Sequence, residues 1–262
     1  MRLMTYNILT GGLDGLDGSR WPLIVDVIRK ADPDILVLNE CNYFDLERNR
    51  NFHRMERETN MHGLVANAET GFHVAIFVRD GHFIESRGTS HSFHHAMLET
   101  SIQWQGHTIR VVGVHMCPFG GHSRAMEAEY LTRFSREQEW VFLAGDMNAI
   151  SPRDAHRVDR GGWAQRRQAR HLLPGTKDLD TRAVAMLEDS GFVDLAAQAG
   201  INDIPTVLTP LRSDHDSYRL RIDYVFGSQR VASALKHAEV VAGKLSDRAS
   251  DHYPVLVDVD LD

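Results

Sequence analysis

Seven short runs rich in Val, Ile and Leu limit the folds open to this chain. They are RLMTYNI (2–8), DILVLNE (34–40), HVAIFVR (73–79), TIRVVGVHM (108–116), VFLAG (141–145), RIDYVFG (221–227) and YPVLVDV (253–259). Several are apolar at consecutive positions, the pattern of strands covered on both faces. Helical patterns lie between them. In 22–31, Ile24, Val27, Ile28 and Ala31 follow i, i+3, i+4, i+7, with Pro22 in the first turn and Asp32-Pro33 as the stop. The stretch 123–140, capped by Ser123, carries Met126, Tyr130 and Phe134 on one side, and 176–190 predicts a helix from Thr176 to the residue before Gly191. Strands alternating with helices and then following one another through longer loops predict a layered α/β fold. No internal repeat or composition break divides the chain, so one domain over 1–262 is expected.

Composition narrows the function. Lys and Arg number 29 against 36 Asp and Glu, a net charge of −7, whereas a protein that binds DNA mainly through its overall field should be basic. Two cysteines, Cys41 and Cys117, are too few for a disulfide scaffold and read as buried thiols. The start, MRLMTYNILTGG, does not read as a signal peptide, and no window approaches 18 uninterrupted apolar residues. A cytoplasmic monomer without a membrane span is expected. The segment 10–20 reads as a flexible loop and the polar, Arg-rich 150–175 as a surface excursion. With 15 histidines in the chain, His91, His94 and His95 read as incidental.

The strand ends carry the chemistry. The first run closes on Asn7, the second on Asn39-Glu40, and the fourth on His115. VFLAG runs into Asp146 with Asn148 two residues on, RIDYVF holds Asp223, and Asp251-His252 precede the last run. Ligands in layered α/β proteins bind beyond strand ends. Asn7, Glu40 and Asp251 supply oxygen only, which suits Mg²⁺ or Mn²⁺. Asp146 and Asn148 point the same way in an extended chain and can hold one water between them, the acid taking its proton. A buried Asp223 would orient His252 and favour its protonated form. An imidazolium and a divalent ion facing one point suit a phosphoryl group gaining negative charge.

The ordered set TYN, LNE, GVH, GDMNA, RIDY and SDHYPV resembles the endonuclease/exonuclease/phosphatase superfamily, which includes pancreatic DNase, exonuclease III, neutral sphingomyelinases and inositol-polyphosphate 5-phosphatases. The likeness runs from Asn7 to His252. It implies a four-layer α/β sandwich, two packed mixed sheets flanked by helices, and metal-dependent phosphoester hydrolysis. Asn7, Glu40 and Asp251 match the metal positions. Asp146 and Asn148 match the water-positioning pair, and Asp223 and His252 the Asp–His pair beside the phosphate. His115 matches a position that is His in the DNase and sphingomyelinase branches, and is expected to protonate the leaving oxygen or else to hydrogen-bond a phosphoryl oxygen. Arg124, in HSRAMEAEYL, is expected to reach a substrate phosphate. Expected is hydrolysis of a small phosphorylated molecule. A nuclease or DNA-end-processing phosphodiesterase is the alternative, and a non-catalytic relative a third class that the filled catalytic positions disfavour.

Overall fold

The structure is a computed structural model that describes residues 1–161, 163–212 and 219–261. In chain order the strands are β1 (Arg2–Asn7), β2 (Ile35–Asn39), β3 (His62–Ala66), β4 (Val74–Val78), β5 (His82–Thr89), β6 (Ala96–Trp104), β7 (His107–His115), β8 (Trp140–Asp146), β9 (Val193–Asp194), β10 (Asp223–Gly227), β11 (Leu235–Val240) and β12 (Val255–Val259). They form two six-stranded sheets, ordered β11-β12-β1-β2-β4-β3 and β5-β6-β7-β8-β10-β9. In each, one central pair is parallel, β1 with β2 and β7 with β8, and its outer neighbours run antiparallel.

The sheets pack face to face through Leu3, Ile35, Val37, Val74, Ile76, Val111, Phe142, Val225 and Val257. Gly113 lets the sheets approach closely: a Cβ there would sit 2.9 Å from the Val37 side chain and 3.2 Å from that of Val74. The outer face of the first sheet is covered by the helices Arg20–Ala31 and Arg50–Thr59 through Trp21, Ile24, Ile28, Phe52 and Met55. The second is covered by Gly121–Thr132 and Arg182–Asp189 through Ala128, Leu131, Val184 and Leu187. Helix, sheet, sheet, helix is the four-layer α/β sandwich expected.

Two helices differ from their expected form. The helix expected from 123 begins at Gly121, and Met126 is 61% exposed, because the buried face is Arg124, Glu127, Ala128 and Leu131. Two charged residues on that face defeat an apolar-periodicity reading. The helix expected from Thr176 begins only at Arg182, since Thr176 bonds back to Leu173 in a turn and Asp180 is engaged by Arg182. No helix among the described residues is long and apolar enough to cross a membrane.

Candidate active site

Topology brings the polar strand ends to one edge of both sheets. Parallel β1 and β2 place Asn7 level with Asn39, and parallel β7 and β8 place His115 level with Asp146. Strand β10 runs antiparallel to β8, so its first residue, Asp223, pairs with the last of β8, Asp146. For the same reason, Asp251 and His252 reach this edge just ahead of β12. Asn7, Glu40, Asp251 and His252 come from one sheet, and His115, Asp146, Asn148 and Asp223 from the other. Except for Asp223 and Asn7, these residues line a cavity of about 1000 Å³.

Asp146 sits at the centre, 2% exposed. Its Oδ2 accepts from Asn7 Nδ2 at 3.1 Å, and its Oδ1 from the Asn148 backbone N–H at 2.8 Å. Burial, followed by the charge of Asp223, pushes its carboxyl up to about 7. Gly145, at φ +146°, lets β8 bend into this position, since a Cβ would overlap the Val114 carbonyl. Asn148 is not extended, as the two-residue spacing suggested. It adopts φ +48°, and its side chain donates to Met116 O at 3.1 Å, so the Asp146 carboxylate meets its backbone instead.

His252 Nδ1 lies 2.8 Å from Asp223 Oδ2, and its Nε2 lies 3.9 Å from Asp146 Oδ2. Burial alone would lower its pKa. The charge and hydrogen bond of Asp223, with Asp146 and Asp251 behind, outweigh burial and hold it well above the usual histidine value. His252 is therefore an imidazolium with one nitrogen engaged and the other turned toward Asp146. His115 goes the opposite way. Burial, then the neighbouring His95, His252 and His94, hold it well below the usual value and so neutral. A neutral imidazole is a hydrogen-bond donor and a poor proton source, which argues against the expected leaving-group acid.

Atoms of Asp146, Asp223 and His252 converge within 4.8 Å, a group that could hold a metal ion. Asp223 Oδ2 is already engaged by His252, however, and a cation would compete with that imidazolium. Glu40 and Asp251 fit a cation better. Asp251 Oδ1 is buried without a hydrogen-bond partner among the described residues, and burial together with the charge of Asp251 raises the Glu40 carboxyl. Asn7 enters differently from the expected ligand. Its Oδ1 accepts from Leu9 N at 3.0 Å while its amide bridges Glu40 Oε1 and Asp146 Oδ2, so it holds two carboxylates in place.

Arg124, expected at a substrate phosphate, is 1% exposed and does not line the cavity. Its guanidinium donates to the carbonyls of Cys117 and Arg170, which ties two cavity walls together. It is a positioning residue behind the site. Cys41 and Cys117 are buried free thiols.

The family model for the Endonuclease/Exonuclease/phosphatase family matches residues 4–252. The chain belongs to that family. Endonuclease/exonuclease/phosphatase folds of known structure overlay on the whole chain. An AP endonuclease from Archaeoglobus fulgidus does so at TM-score 0.72 with 17% identity, covering 100% of both chains. A family protein from Bacteroides vulgatus gives 0.73 and 16%, covering 100% of this chain and 98% of its own. The 3′ phosphatase NExo from Neisseria, bound to product DNA hairpin, gives 0.69 and 20%, covering 99% of each. No curated protein matches the chain.

Some residues that shape the site were given no role by the sequence. Asn39 Nδ2 donates to Val114 O at 2.9 Å and its Oδ1 accepts from Asp146 N at 2.9 Å, which fastens β2 to the floor of the site. His94 and His95, read as incidental, line the cavity. The His95 ring lies 4.1 Å from that of His115, and Thr70 holds its Nδ1 at 2.7 Å. Glu127 brings them there by accepting from the backbone N–H groups of His94 and Cys117. The 10–20 loop is tied down as well: Arg20 donates to the carbonyls of Ile8, Leu9, Leu13 and Ala249. The segment read as a surface excursion supplies Arg166, Arg167 and Arg170 to the cavity. Gly162, within it, lies outside the described residues.

Proposed function

We propose that the chain is a divalent-metal-dependent phosphoesterase that hydrolyses a P–O ester of a small phosphorylated molecule. The observation that carries this reading is a raised carboxyl, Asp146, facing an imidazolium, His252, on the floor of one cavity, with two further acids alongside: Glu40, and Asp251 with its Oδ1 buried and unpaired among the described residues. In this reading Asp146 takes the proton of a water whose oxygen attacks phosphorus. Asn7 and the Asn148 N–H fix the orientation of the carboxylate. His252 donates to a phosphoryl oxygen that gains charge as the ester bond breaks, Asp223 keeps it protonated, and the leaving alkoxide takes its proton from solvent water. His115 adds a neutral donor to the same group. Glu40 and Asp251 would hold Mg²⁺ or Mn²⁺, which would supply positive charge to stabilise the phosphoryl group.

Purified protein should be assayed with Mg²⁺ or Mn²⁺ against phosphomonoesters, phosphodiesters, nucleotides, plain DNA and abasic DNA. Turnover of a small ester, abolished by chelator and reduced roughly 10²-fold or more in Asp146→Asn and His252→Ala, is the expected result. Full activity in excess chelator would sink the metal assignment. Efficient cleavage of duplex DNA at physiological salt would replace the small-molecule reading with a nuclease.

A further inference from the structure

Charge in the cavity is segregated. Among the described residues, the acids lining it are Glu40, Asp146 and Asp251, all at the reactive floor. The wall formed by the helix Gln165–His171 contributes Arg166, Arg167 and Arg170. Arg166 and Arg170 are four residues apart and so share one face of that helix, with Arg167 beside them. Neither Arg166 nor Arg170 is ion-paired to any described residue, whereas the remaining lining arginine, Arg212, lies 3.8 Å from Asp251 at the floor. Arg170 instead stands over the ring of Phe119, another lining residue, at 5.8 Å.

This wall is fixed in place. Arg124 binds the Arg170 carbonyl from behind, and Asp180 N–H binds the His171 carbonyl at 2.7 Å. Trp163 and His171 pack ring to ring at the buried back of the helix. Arg166 is exposed and Arg170 half-buried, so neither guanidinium needs a protein carboxylate, and both can meet an anion that enters the cavity. A phosphoryl group at the floor is already served by His252, His115 and Arg212. A cavity of about 1000 Å³ is also at the upper end of the roughly 300–1,000 Å³ of small-molecule sites. One phosphoryl group leaves most of it unused.

The geometry points to a substrate with a second phosphate, held by Arg166 and Arg170 while the reactive phosphoryl group sits over Asp146 and His252. This rests on the phosphoesterase reading of the floor. Guanidinium forks suit a phosphate, and each hydrogen bond between charged partners in a half-enclosed site strengthens binding roughly tenfold.

The probes are non-hydrolysable phosphonates, so that binding is measured without turnover. Calorimetry should compare propyl-, pentyl- and heptylphosphonate with the corresponding 1,3-, 1,5- and 1,7-bisphosphonates. At least one bisphosphonate should bind roughly tenfold or more tightly than its monophosphonate. The double variant Arg166→Gln/Arg170→Gln should erase that ratio, and Arg166→Glu should lower it further than Arg166→Gln. Equal binding of mono- and bisphosphonates throughout, no binding of either, or a ratio that survives the double variant would overturn the proposal. A single-stranded dodecanucleotide that binds more tightly than every bisphosphonate would also overturn it, in favour of a strand-binding wall. His252→Ala separates the two levels of the argument. It should weaken both probe classes alike and leave their ratio intact. If it weakens neither, the floor is not the phosphoryl site, whatever the wall binds.

Discussion

Asp223→Asn isolates one charge at the centre of the proposed chemistry. The side chain keeps its volume, and its oxygen can still accept from His252 Nδ1, now 2.8 Å from a carboxylate oxygen. What disappears is the negative charge that, with its hydrogen bond, overcomes the burial of the imidazole. A neighbouring opposite charge moves a pKa by about 1–3 units. Asp146, 3.9 Å from Nε2, remains to support the protonated form. A fall of about 2 units in the His252 pKa is therefore expected, equivalent to about 2.7 kcal/mol of lost preference for the imidazolium. If His252 acts as a cation on the phosphoryl group, kcat/KM above neutral pH should fall about 10²-fold, and the alkaline limb of the rate profile should move down by the same 2 units. Two-dimensional ¹H–¹⁵N spectra of the imidazoles, titrated from pH 5 to 10 in both proteins, read the first quantity, and steady-state kinetics the second. A His252 pKa displaced by less than about 0.5 unit would refute the coupling. A rate loss with an unmoved pKa would assign the damage to the start of β10 and not to the imidazolium.

Four further outcomes are expected. Saturating Mg²⁺ or Mn²⁺ should raise the melting temperature by roughly 5–10 °C, as expected at about 100 times Kd, and Glu40→Gln should raise the half-saturating ion concentration at least about tenfold; melting that ignores the ion would reject the site. His115→Ala should slow alkyl and nitrophenyl phosphoesters alike, because a neutral His115 stabilises the phosphoryl group; a loss confined to the alkyl ester would restore the leaving-group acid. Burial and the adjacent His94 push His95 down to about 3, so the unfolded chain takes up a proton below about 6.5 while the folded one does not, and stability should fall as pH drops, by about 2 kcal/mol from this residue at pH 5; urea melts should show a shallower acid slope in His95→Phe, and an equal slope would contradict the buried neutral ring. Asp154→Ala removes one of the two carboxylates, 2.7 Å away like that of Asp194, that neutralise buried Arg221, and should cost about 3–5 kcal/mol in denaturant melts; a loss below about 1 kcal/mol would mean that Asp194 alone suffices.

Strands buried on both faces were legible because they are apolar at several consecutive positions. The outer strands β5 and β11 were not: HFIESRGT and LKHAEV are largely exposed edges with no apolar run to find. In AMLETSIQW of β6 the apolar run is broken by Thr100 and Ser101, which are buried yet bonded to Glu85. The same division runs through the site. Residues at the ends of central strands could be placed because strand direction fixes their edge. His95 arrives on the short loop just ahead of β6, a strand that left no clear apolar run, and Arg166 and Arg170 on the long connection between β8 and β9, whose course depends on tertiary contacts. Glu127 and Arg124 set those contacts from a helix face that looks solvated in sequence. A buried charge that binds backbone carbonyls or N–H groups leaves no periodic trace.

The site exists only where the two sheets meet, and few bonds set their relation there. Asn39, at the end of β2, accepts from Asp146 N–H and donates to Val114 O, so one amide fastens the first sheet to two strands of the second. Asn7 repeats the link one strand over through the Asp146 carboxylate, and Ser250 Oγ binds Asn7 O at 2.7 Å, joining the approach to β12 to the same network. An apolar residue at 39 would leave a buried N–H and a buried carbonyl unmatched, at about 1–3 kcal/mol each. It would also free Asp146 to move relative to Glu40. The hydrogen bonds that hold the sandwich closed at this edge are therefore the ones that set the distance between the proposed water-activating acid and the proposed metal ligands. A loosened sheet interface at Asn39 should reduce turnover before it unfolds the protein.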